Sequence, residues 1–227
     1  MNILHISDTH GFHKQFPISR FENIDIVVHS GDCSNYRDVG RNANEVLDFI
    51  DWYKEIPVKN KIYVAGNHDT SIEKRLVTPA QFAQAGITYL ENAGTTIDGV
   101  KFWGSPFTPT FGDWSFMKSR ETINRIWEKV PSNTEVFIVH GPPKGIRDLS
   151  HDRDGVLEFC GDGSLYKAIL NIQPKLMLFG HIHNSPGCYN QGVSKNDYPQ
   201  TIFSNAACVE DGRFDKGLVS FGNILNI

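Results

Sequence analysis

Five short apolar runs in this 227-residue chain each end in a loop that carries Asp, Asn or His. The clearest example is Lys61 to Ala65, which leads into Gly66-Asn67-His68-Asp69 and so places a carboxamide and an imidazole directly after a strand-like run. Alone, Gly-Asn-His is also ordinary turn chemistry. The other four loops are Asp8-Thr9-His10, Gly31-Asp32, His140-Gly141 and Gly180-His181-Ile182-His183. Because the carboxyl ends of parallel strands meet at one crevice of an open α/β sheet, we expect these loops to lie together.

The segments between these loops alternate strand and helix patterns. We predict strands over 3–7, 24–30 and 61–65, with a crossover helix over 42–55 that Pro57 ends. This order predicts parallel connections. Further along, we predict helices over 71–76, 79–85, 120–129 and 164–171, strands over 88–90, 95–97, 100–103, 135–139, 175–179, 201–203 and 218–221, and a long polar loop over 144–155. The hairpin signal Asp98-Gly99 predicts a second sheet packed on the first.

Residues 104–117 form a segment without a regular period that is rich in aromatic residues and proline. Such a segment either plugs a hydrophobic edge or lines a substrate cleft, and the sequence leaves both interpretations open. Its aromatic residues are Phe107, Phe111, Trp114 and Phe116.

Length and charge narrow the class of protein. A chain of 227 residues fits one domain, 1–227, with a core large enough to need no disulfide framework. With 22 basic and 26 acidic residues, the net charge of −4 indicates neither a broad nucleic-acid surface nor a membrane surface. No run approaches the ~18 apolar residues of a membrane span. Four scattered cysteines without a C-x-x-C pair indicate reduced thiols and a cytoplasmic protein. A small apolar-aromatic surface could support a dimer, but no residue pattern shows one.

The polar residues at the strand ends share the chemistry of metal ligands. They are Asp8, His10, Asp32, Asn67, His140, His181 and His183. Carboxylate, carboxamide and imidazole donors without a thiolate suit Mn, Fe, Zn or Co better than Ca or Mg, which take oxygen alone. In extended backbone, residues i and i+2 face the same way, so each Asp-x-His or His-x-His pair reaches one point. A lone histidine at a strand end is more often structural, but five such loops in order favour a metal site.

The remaining histidines do not follow this pattern, and we assign them no ligand role. They are His5, His13, His29 and His151. His5 and His29 fit either core positions or positions behind the ligands.

The succession of motifs resembles the calcineurin-like metallophosphoesterase superfamily. Within it, the chain most resembles the metallophosphoesterase-domain-containing protein subfamily. Four further stretches carry this resemblance: Val64-Ala65-Gly66-Asn67-His68, Gly104-Ser105-Pro106-Phe107-Thr108-Pro109, His140-Gly141-Pro142-Pro143 and Pro174-Lys175. The resemblance spans nearly the whole chain. It implies a four-layer α/β/β/α sandwich of two mixed sheets, with a binuclear metal centre at the carboxyl ends of the strands.

The resemblance also implies which residues hold the metals. Every ligand position of the family is filled: one ion takes Asp8, His10 and His183, the other takes Asn67, His140 and His181, and Asp32 bridges them. The cofactors would be two divalent transition metal ions, with manganese favoured over iron, zinc and cobalt. Two such ions attract a small phosphoester and support its hydrolysis by a bridging hydroxide.

The resemblance further implies a catalytic role for His68, which would protonate the leaving oxygen or steady the phosphoryl charge. Asp69 is its expected orienting partner, and Asn67 and His68 are the expected substrate contacts. We therefore expect a hydrolase with an acid beside the metals.

The kind of phosphoester is inferred from charge. Protein Ser/Thr phosphatases of this superfamily carry an arginine immediately before Gly-Asn-His and another just after Gly-Asp. This chain has Ala65 at the first place, and Cys33-Ser34-Asn35 follows Asp32, with Arg37 only later. Without those arginines a doubly charged monoester loses a clamp, which favours a phosphodiester. The resemblance points to small, nucleotide-like diesters such as cyclic nucleotides. Arg147, Asp148 and Asn205 either contact the substrate or cap loops.

Two alternatives remain at this point. One is a phosphomonoesterase or a nuclease on the same scaffold, although a nuclease usually needs a basic groove. The other is a non-enzymatic protein that keeps its metals for structure and recruits a partner through the aromatic segment. The intact His68 argues against the second alternative, because a structural metal site needs no acid beside it.

Overall fold

The computed structural model describes residues 1–196, 199–211 and 216–227, and the following elements lie in those ranges. The strands are β1 Asn2–Ile6, β2 Ile26–His29, β3 Asn60–Tyr63, β4 Thr88–Tyr89, β5 Ala93–Ile97, β6 Val100–Ser105, β7 Thr108–Pro109, β8 Met117–Lys118, β9 Val136–Val139, β10 Leu149–His151, β11 Leu157–Phe159, β12 Leu176–Phe179, β13 Gly192–Lys195, β14 Ile202–Asn205 and β15 Asn223–Asn226. The α-helices are α1 Val39–Glu55, α2 Thr70–Glu73, α3 Pro79–Gln84, α4 Asn124–Trp127 and α5 Gly163–Ile172, and two 3₁₀ turns span His13–Gln15 and Ile18–Phe21.

Two mixed sheets form the centre of the protein. The first has the order β15-β1-β2-β3-β4, in which β1 to β4 run parallel and β15 pairs antiparallel with β1. The second has the order β13-β14-β12-β9-β6-β5, with a parallel centre and an antiparallel strand at each edge. The predicted hairpin at Asp98-Gly99 is confirmed as β5 and β6.

Three hydrophobic clusters show how the layers pack. One cluster lies between the sheets and includes Ile26, Val64 and Ile138. A second joins the first sheet to α1, α2 and α3 through Val46, Phe49 and Phe82 among others, and a third joins the second sheet to α4 and α5. The order of layers is therefore helices, sheet, sheet, helices. This confirms the expected α/β/β/α sandwich.

Helix α1 shows how local sequence sets this arrangement. The Asp38 side chain accepts a hydrogen bond from the Arg41 N–H at the start of the helix, which satisfies a donor that the first turn leaves open. Val46, Phe49, Ile50 and Tyr53 recur at helical spacing and are all buried. This apolar stripe packs the helix onto the first sheet.

Three predicted segments differ from the structure. The last strand is Asn223–Asn226 rather than 218–221, because Gly222 at φ 74° turns the chain before it reaches the open edge of β1. The predicted helix over 120–129 keeps only α4, since several backbone hydrogen bonds on either side of α4 link residues three apart and form turns. The polar loop over 144–155 contains β10, which pairs with β11.

The missed hairpin has a physical explanation. Leu157–Phe159 is exposed along its whole length, so it shows no alternation of buried and exposed side chains.

In the described ranges, no helix combines the length and the apolar character needed to cross a membrane.

Candidate metal and active site

The predicted site residues come together where strands of both sheets end. Asp8 and His10 follow β1, Asp32 follows β2, and Asn67 and His68 follow β3, all from the first sheet. The second sheet contributes three histidines: His140 after β9, and His181 and His183 after β12. The seam between the two sheets therefore holds the cluster, which neither sheet could complete alone.

Three sets of donor atoms in this cluster lie close enough to hold a metal ion. Within each set the donor atoms are within 4.8 Å of one another, and the sets are Asp8 with His10 and His183, His10 with Asp32 and His68, and Asp32 with His140 and His181. The Asp32 Oδ2 atom lies 3.3 Å from His140 Nε2 and 3.9 Å from His10 Nε2. Asp32 thus stands between two groups of donors.

Asn67 and His183 also point into this cluster. The Asn67 Oδ1 atom lies 2.9 Å from His140 Nε2. His183 Nε2 lies 3.0 Å from Asp8 Oδ1. All seven residues predicted as ligands are therefore neighbours in the folded chain.

The backbone of the site is held in a conformation that side chains rarely adopt. Asp8, His10, Asp32 and His181 have φ between 43° and 69°, in the left-handed region. Such conformations cost free energy and persist only where the surrounding structure imposes them. Here they turn side chains that follow a strand toward one shared point.

Two glycines allow the loops to approach this closely. A Cβ atom at Gly66 would overlap Asp32 Oδ1 and the His140 ring, and one at Gly180 would overlap Asp8 Oδ2 and Ser7 Oγ. Glycine before Asn67 and before His181 therefore serves close packing of the loops, beyond the turn chemistry that the sequence suggests.

Three ligand-type histidines are oriented through their second ring nitrogen. His140 Nδ1 lies 2.9 Å from the Ser30 carbonyl oxygen and His10 Nδ1 lies 3.2 Å from that of Ser34. Because a carbonyl oxygen only accepts, each Nδ1 donates and Nε2 faces the cluster. His183 Nδ1 lies 3.0 Å from Asp211 Oδ1. Sequence reasoning missed Asp211, since no motif or strand end marks it.

Charge in the cluster is balanced between carboxylates and imidazoles. Burial alone would raise the pKa of Asp8 and Asp32, but neighbouring histidines, His183 and His140 above all, hold both well below the usual range. Burial alone would lower the pKa of His140, but the charge of Asp32 raises it to about 9. Burial alone would also lower the pKa of His183, but hydrogen bonds to Asp211 and Asp8 raise it to about 10.

The donor set fits divalent transition metals. Burial lowers the pKa of His10 and of His181 to about 3, so both rings are neutral and carry a lone pair for a cation. Because the carboxylates raise the pKa values of His140 and His183, these two sites favour positive charge, and a bound cation can take the place of the protons. Imidazole and carboxylate ligands without thiolate match Mn, Fe, Zn or Co.

Asp69 lies behind this cluster rather than beside the His68 ring. Its carboxylate accepts hydrogen bonds from the N–H groups of Asp32 and Gly66 at 2.9 and 2.7 Å, and from the Tyr63 hydroxyl at 2.7 Å. Burial and the charge of Asp32 raise its pKa. The structure thus gives Asp69 a different partner set from the expected one: it ties the loops after β2 and β3 together.

Arg147, Asp148 and Asn205, which the sequence leaves as either substrate contacts or loop caps, make hydrogen bonds within loops. Arg147 donates to the carbonyl oxygens of Asn190, Gln191 and Val193, and Asp148 accepts from the N–H groups of Gly145 and Gly161. Asn205 Nδ2 donates to the Ile182 carbonyl at 2.9 Å, within the loop that carries the last two histidines. These contacts favour the loop-capping interpretation for all three.

The histidines without a predicted ligand role are also accounted for by structural contacts. His5 is buried between the hydroxyls of Ser30 and Ser204, and His29 contacts the Thr9 hydroxyl. His13 lies 3.2 Å from the Asp48 carboxylate, and His151 Nδ1 lies 3.7 Å from Cys188 Sγ.

A cavity of about 530 Å³ opens outward from the cluster. Asp32, Asn67, His68, His181 and His183 line its inner end. Its outer wall includes two aromatic residues of the 104–117 segment, one hairpin aromatic residue and three charged residues, namely Phe111, Trp114, Phe159, Arg120, Lys144 and Glu158.

The aromatic residues of the 104–117 segment lie in two places, the core and the cavity wall. Phe116 is 1% exposed and packs in the core with partly buried Phe107, whereas Phe111 and Trp114 line the cavity. Phe111 lies 5.1 Å from the His181 ring, and Trp114 lies 4.3 Å from the His68 ring, both measured between centroids. The segment therefore contributes Phe116 and Phe107 to the core, and Phe111 and Trp114 to the cavity wall.

The fold and the donor cluster define the class of this protein: an α/β/β/α sandwich that offers a site for divalent cations at the strand ends of both sheets. The profile of the calcineurin-like phosphoesterase family matches residues 1–185, and the chain belongs to that family. Membership implies a metal-dependent hydrolase of phosphoesters.

Individual relatives agree with this assignment. The chain is 31% identical over 225 residues to "UPF0046 protein K07C11.7" of Caenorhabditis elegans, covering 93% of this chain and 71% of that protein. It is 27% identical over 215 residues to "Metallophosphoesterase domain-containing protein 1" of Homo sapiens, covering 83% of this chain and 62% of that protein. One solved crystal structure superposes on this chain with a TM-score of 0.68 at 16% sequence identity, covering 99% of this chain and 97% of the other chain. This likeness shows a shared fold.

Proposed function

We propose that this protein is a phosphodiesterase that hydrolyses small, nucleotide-like diesters, cyclic nucleotides among them, with two divalent metal ions. The single observation that carries the proposal is the position of Asp32 between two groups of donor atoms at the inner end of one cavity. A structural metal site would have no need to open into a cavity of substrate size.

The proposed ligand assignment is the one that the family resemblance implies, and the close donor sets Asp8, His10, His183 and Asp32, His140, His181 support it. Asp8, His10 and His183 would hold one ion, Asn67, His140 and His181 the other, and Asp32 would contact both. When bound, two divalent ions would polarise the phosphoryl group and supply the nucleophile. Manganese is the favoured metal. The residues themselves fix positions: the second ring nitrogens of His10, His140 and His183 are already engaged, so their ligand atoms are preorganised.

His68 is the proposed acid. Its ring lines the cavity and lies 4.8 Å from the His10 ring between centroids. In the reaction, the oxygen of a water molecule bonds to phosphorus and one water proton is released to solvent. The bond from phosphorus to the leaving oxygen breaks, and His68 gives that oxygen its proton. Asn67 lies beside His68 at the cavity floor, where its amide can contact a phosphoryl oxygen.

The preference for a diester rests on two positions that lack a phosphatase arginine. Ala65 and Cys33 are both fully buried and belong to the core cluster below the helices, so neither position supplies charge to the cavity. A diester carries one negative charge where a monoester carries up to two, and it needs less positive charge around it.

One observation favours a phosphomonoesterase as the second candidate. Arg120 and Lys144 line the outer wall of the cavity, and within the described ranges neither has a carboxylate within 4.0 Å. Either cation could contact a dianionic phosphate that lies toward the outer end of the cavity. Glu158 and Asp211 on the same walls oppose this charge.

The test is the hydrolysis of bis-p-nitrophenyl phosphate against p-nitrophenyl phosphate by protein reconstituted with Mn²⁺. Metal-stripped protein and an Asp32→Ala variant purified identically serve as controls for contaminating enzymes. Preference for the diester supports the proposal and directs a screen of cyclic nucleotides. Preference for the monoester overturns it in favour of the phosphomonoesterase, and activity on neither with two metals bound would favour the binding protein.

Two further expectations from the sequence belong to this proposal. The whole of 1–227 is proposed as one metallophosphoesterase domain. A cytoplasmic location stays a prediction, supported by four cysteines that are all free thiols.

A further inference from the structure

The His68 side chain differs from the ligand-type histidines in how it is held. Its main chain is fixed, because its N–H donates to Asp32 Oδ1 at 2.7 Å and its carbonyl accepts from Asn42 Nδ2 at 2.8 Å. Its Nδ1 atom, however, is buried and has no hydrogen-bond partner in the described part of the chain. Asp69, the partner expected from the sequence, is engaged with backbone groups instead.

Ring contacts surround the His68 imidazole. His10 approaches it edge-on at 85°, with 4.8 Å between ring centroids. Trp114 lies against its face at an interplanar angle of 32°, with 4.3 Å between centroids. The Arg37 guanidinium carbon lies 3.8 Å from the Trp114 ring centroid. Since the imidazole and the guanidinium both lie this close to the indole, they occupy its opposite faces.

The backbone next to Trp114 is fastened to the loop that carries His68. Ser115 N–H donates to the Asn67 carbonyl at 3.2 Å, and Ser115 Oγ donates to Thr70 Oγ1 at 3.0 Å. Phe116 N–H donates to Glu73 Oε1 at 2.8 Å, and its own side chain is buried in the core. Trp114 is therefore brought to His68 by three hydrogen bonds and a buried neighbour.

We propose that Trp114 positions the His68 imidazole for proton transfer, and that Arg37 holds Trp114 in place from its opposite face. This inference rests on the proposed function of His68 as the acid. The torsion of an imidazole about its second side-chain bond has broad minima, so a ring without a hydrogen bond at Nδ1 needs another restraint. The contact with Trp114 and the edge-on contact with His10 supply that restraint.

The same stack limits what Trp114 does for the substrate. With both faces of its indole covered, Trp114 cannot stack on a substrate ring unless Arg37 leaves. Phe111, which is 54% exposed in the same cavity, has a free surface for that purpose. The two aromatic residues of the segment therefore have separate roles: Trp114 acts on the acid, and Phe111 faces the substrate.

The contact itself is tested by NMR of the His68 ring protons in metal-free protein, assigned by their loss in His68→Ala. Trp114→Ala should move these resonances, because it removes the indole ring current, and Trp114→Phe should move them less. Phe111→Ala is the matched control, since its ring contacts His181 instead, and it should leave them in place. Unchanged His68 resonances in a folded Trp114→Ala protein would overturn the inference.

The catalytic consequence is tested with two diesters on Mn²⁺-loaded protein, one with a p-nitrophenolate leaving group and one with an alkoxide. An alkoxide needs a proton to leave, whereas p-nitrophenolate does not. Trp114→Ala should lower kcat for the alkoxide diester by up to about 10²-fold with little change in KM, and affect the other far less. Trp114→Phe should recover most of the loss, and Arg37→Met should show a smaller loss of the same selectivity.

The outcomes separate this inference from the proposed function. If His68→Ala slows the alkoxide diester but Trp114→Ala does not, the positioning role is wrong and the acid stands. If His68→Ala slows neither diester, the acid role is wrong and the catalytic role of Trp114 falls with it. Equal losses on both diesters in Trp114→Ala would show a general structural defect and overturn the inference.

Discussion

The two ends of the cavity are built in opposite ways. At the inner end, Asp8, His10, Asp32 and Asn67 are at most 3% exposed and follow strands of the central sheets. At the outer end, Phe111 and Phe159 are 54% and 53% exposed and belong to the 104–117 segment and the β10–β11 hairpin. In the proposed function, strand ends therefore hold the metal ions, and exposed loops form the surface that a substrate would meet first.

The two ends also differ in which groups their hydrogen bonds join: inner residues bond to one another, whereas Arg120 bonds to backbone carbonyls of a neighbouring loop. Inner residues are held through several partners each, as when Asp32 accepts from the His68 N–H while its own N–H donates to Asp69. At the outer end, Arg120 is held by the carbonyl oxygens of Cys160 and Gly161. We expect substitutions at the inner end to abolish metal binding or chemistry, and those at the outer end to change substrate affinity.

The largest effect is expected at Asp32. Asp32→Asn keeps the shape of the side chain and removes the charge shared by two groups of donors, so at least one metal should be lost. Affinity should fall by more than the ~10–100-fold that follows loss of a ligand's outer partner. Metal content per chain by elemental analysis checks this, with Asp48→Asn on the surface as the matched control. Full occupancy in Asp32→Asn would contradict the bridging role.

A large loss without metal loss is expected at His68. His68→Ala should keep both ions and lose about 10²–10⁴-fold in hydrolysis of diesters with poor leaving groups, because the leaving oxygen no longer receives a proton. Rates and metal content are measured on one preparation. Because His68 also lies within 4.8 Å of the donor atoms of His10 and Asp32, loss of an ion would instead make it a ligand.

A smaller effect is expected at Asp211, which lies between the two ends and contacts His183 Nδ1 at 3.0 Å. Asp211→Asn should weaken metal binding at the His183 position by about 10–100-fold, because the carboxylate orients the ring and increases its basicity. A competition titration with a chelator measures the change. Glu158→Gln, a cavity carboxylate farther out, is the control, and an equal effect there would indicate a general charge effect.

The smallest effect is expected at Phe111 on the outer wall. Phe111→Ala should leave metal content unchanged and raise KM for an aromatic diester roughly fivefold, since one aromatic contact contributes ~1 kcal/mol. Steady-state kinetics checks this, with Tyr189→Ala as a control because Tyr189 is 81% exposed and absent from the cavity lining. A fall in kcat with unchanged KM would place Phe111 with the chemistry and blur the contrast between the two ends.

Most of the inner end could be predicted from the sequence. Asp8, His10, Asn67 and His140 each lie within four residues of the end of a short apolar strand, and the geometry of parallel strands brings such positions to one edge. The sandwich followed from the resemblance and from the hairpin signal at Asp98-Gly99. Errors were concentrated in segments without a buried face, such as β11, because the hydrophobic period is the signal on which prediction depends.

The outer end shows where sequence reasoning stops. Four aromatic residues lie within the same short segment, and nothing in their order says that Phe116 enters the core while Trp114 stacks on His68. Nor does any local pattern connect Asp211 to His183, or β15 to the edge of β1. These outcomes depend on contacts between residues that are distant in sequence.

The sequence by itself determined which donor atoms are present, in what order, and after which strands, because apolar runs and turn residues act over a few neighbouring positions. Only the tertiary structure decided which groups hold those donors: Asp69 across two loops, Asp211 behind His183, and Trp114 against His68. Their positions follow from the packing of whole layers, in which the left-handed conformations of Asp8, His10 and Asp32 are imposed by the surroundings.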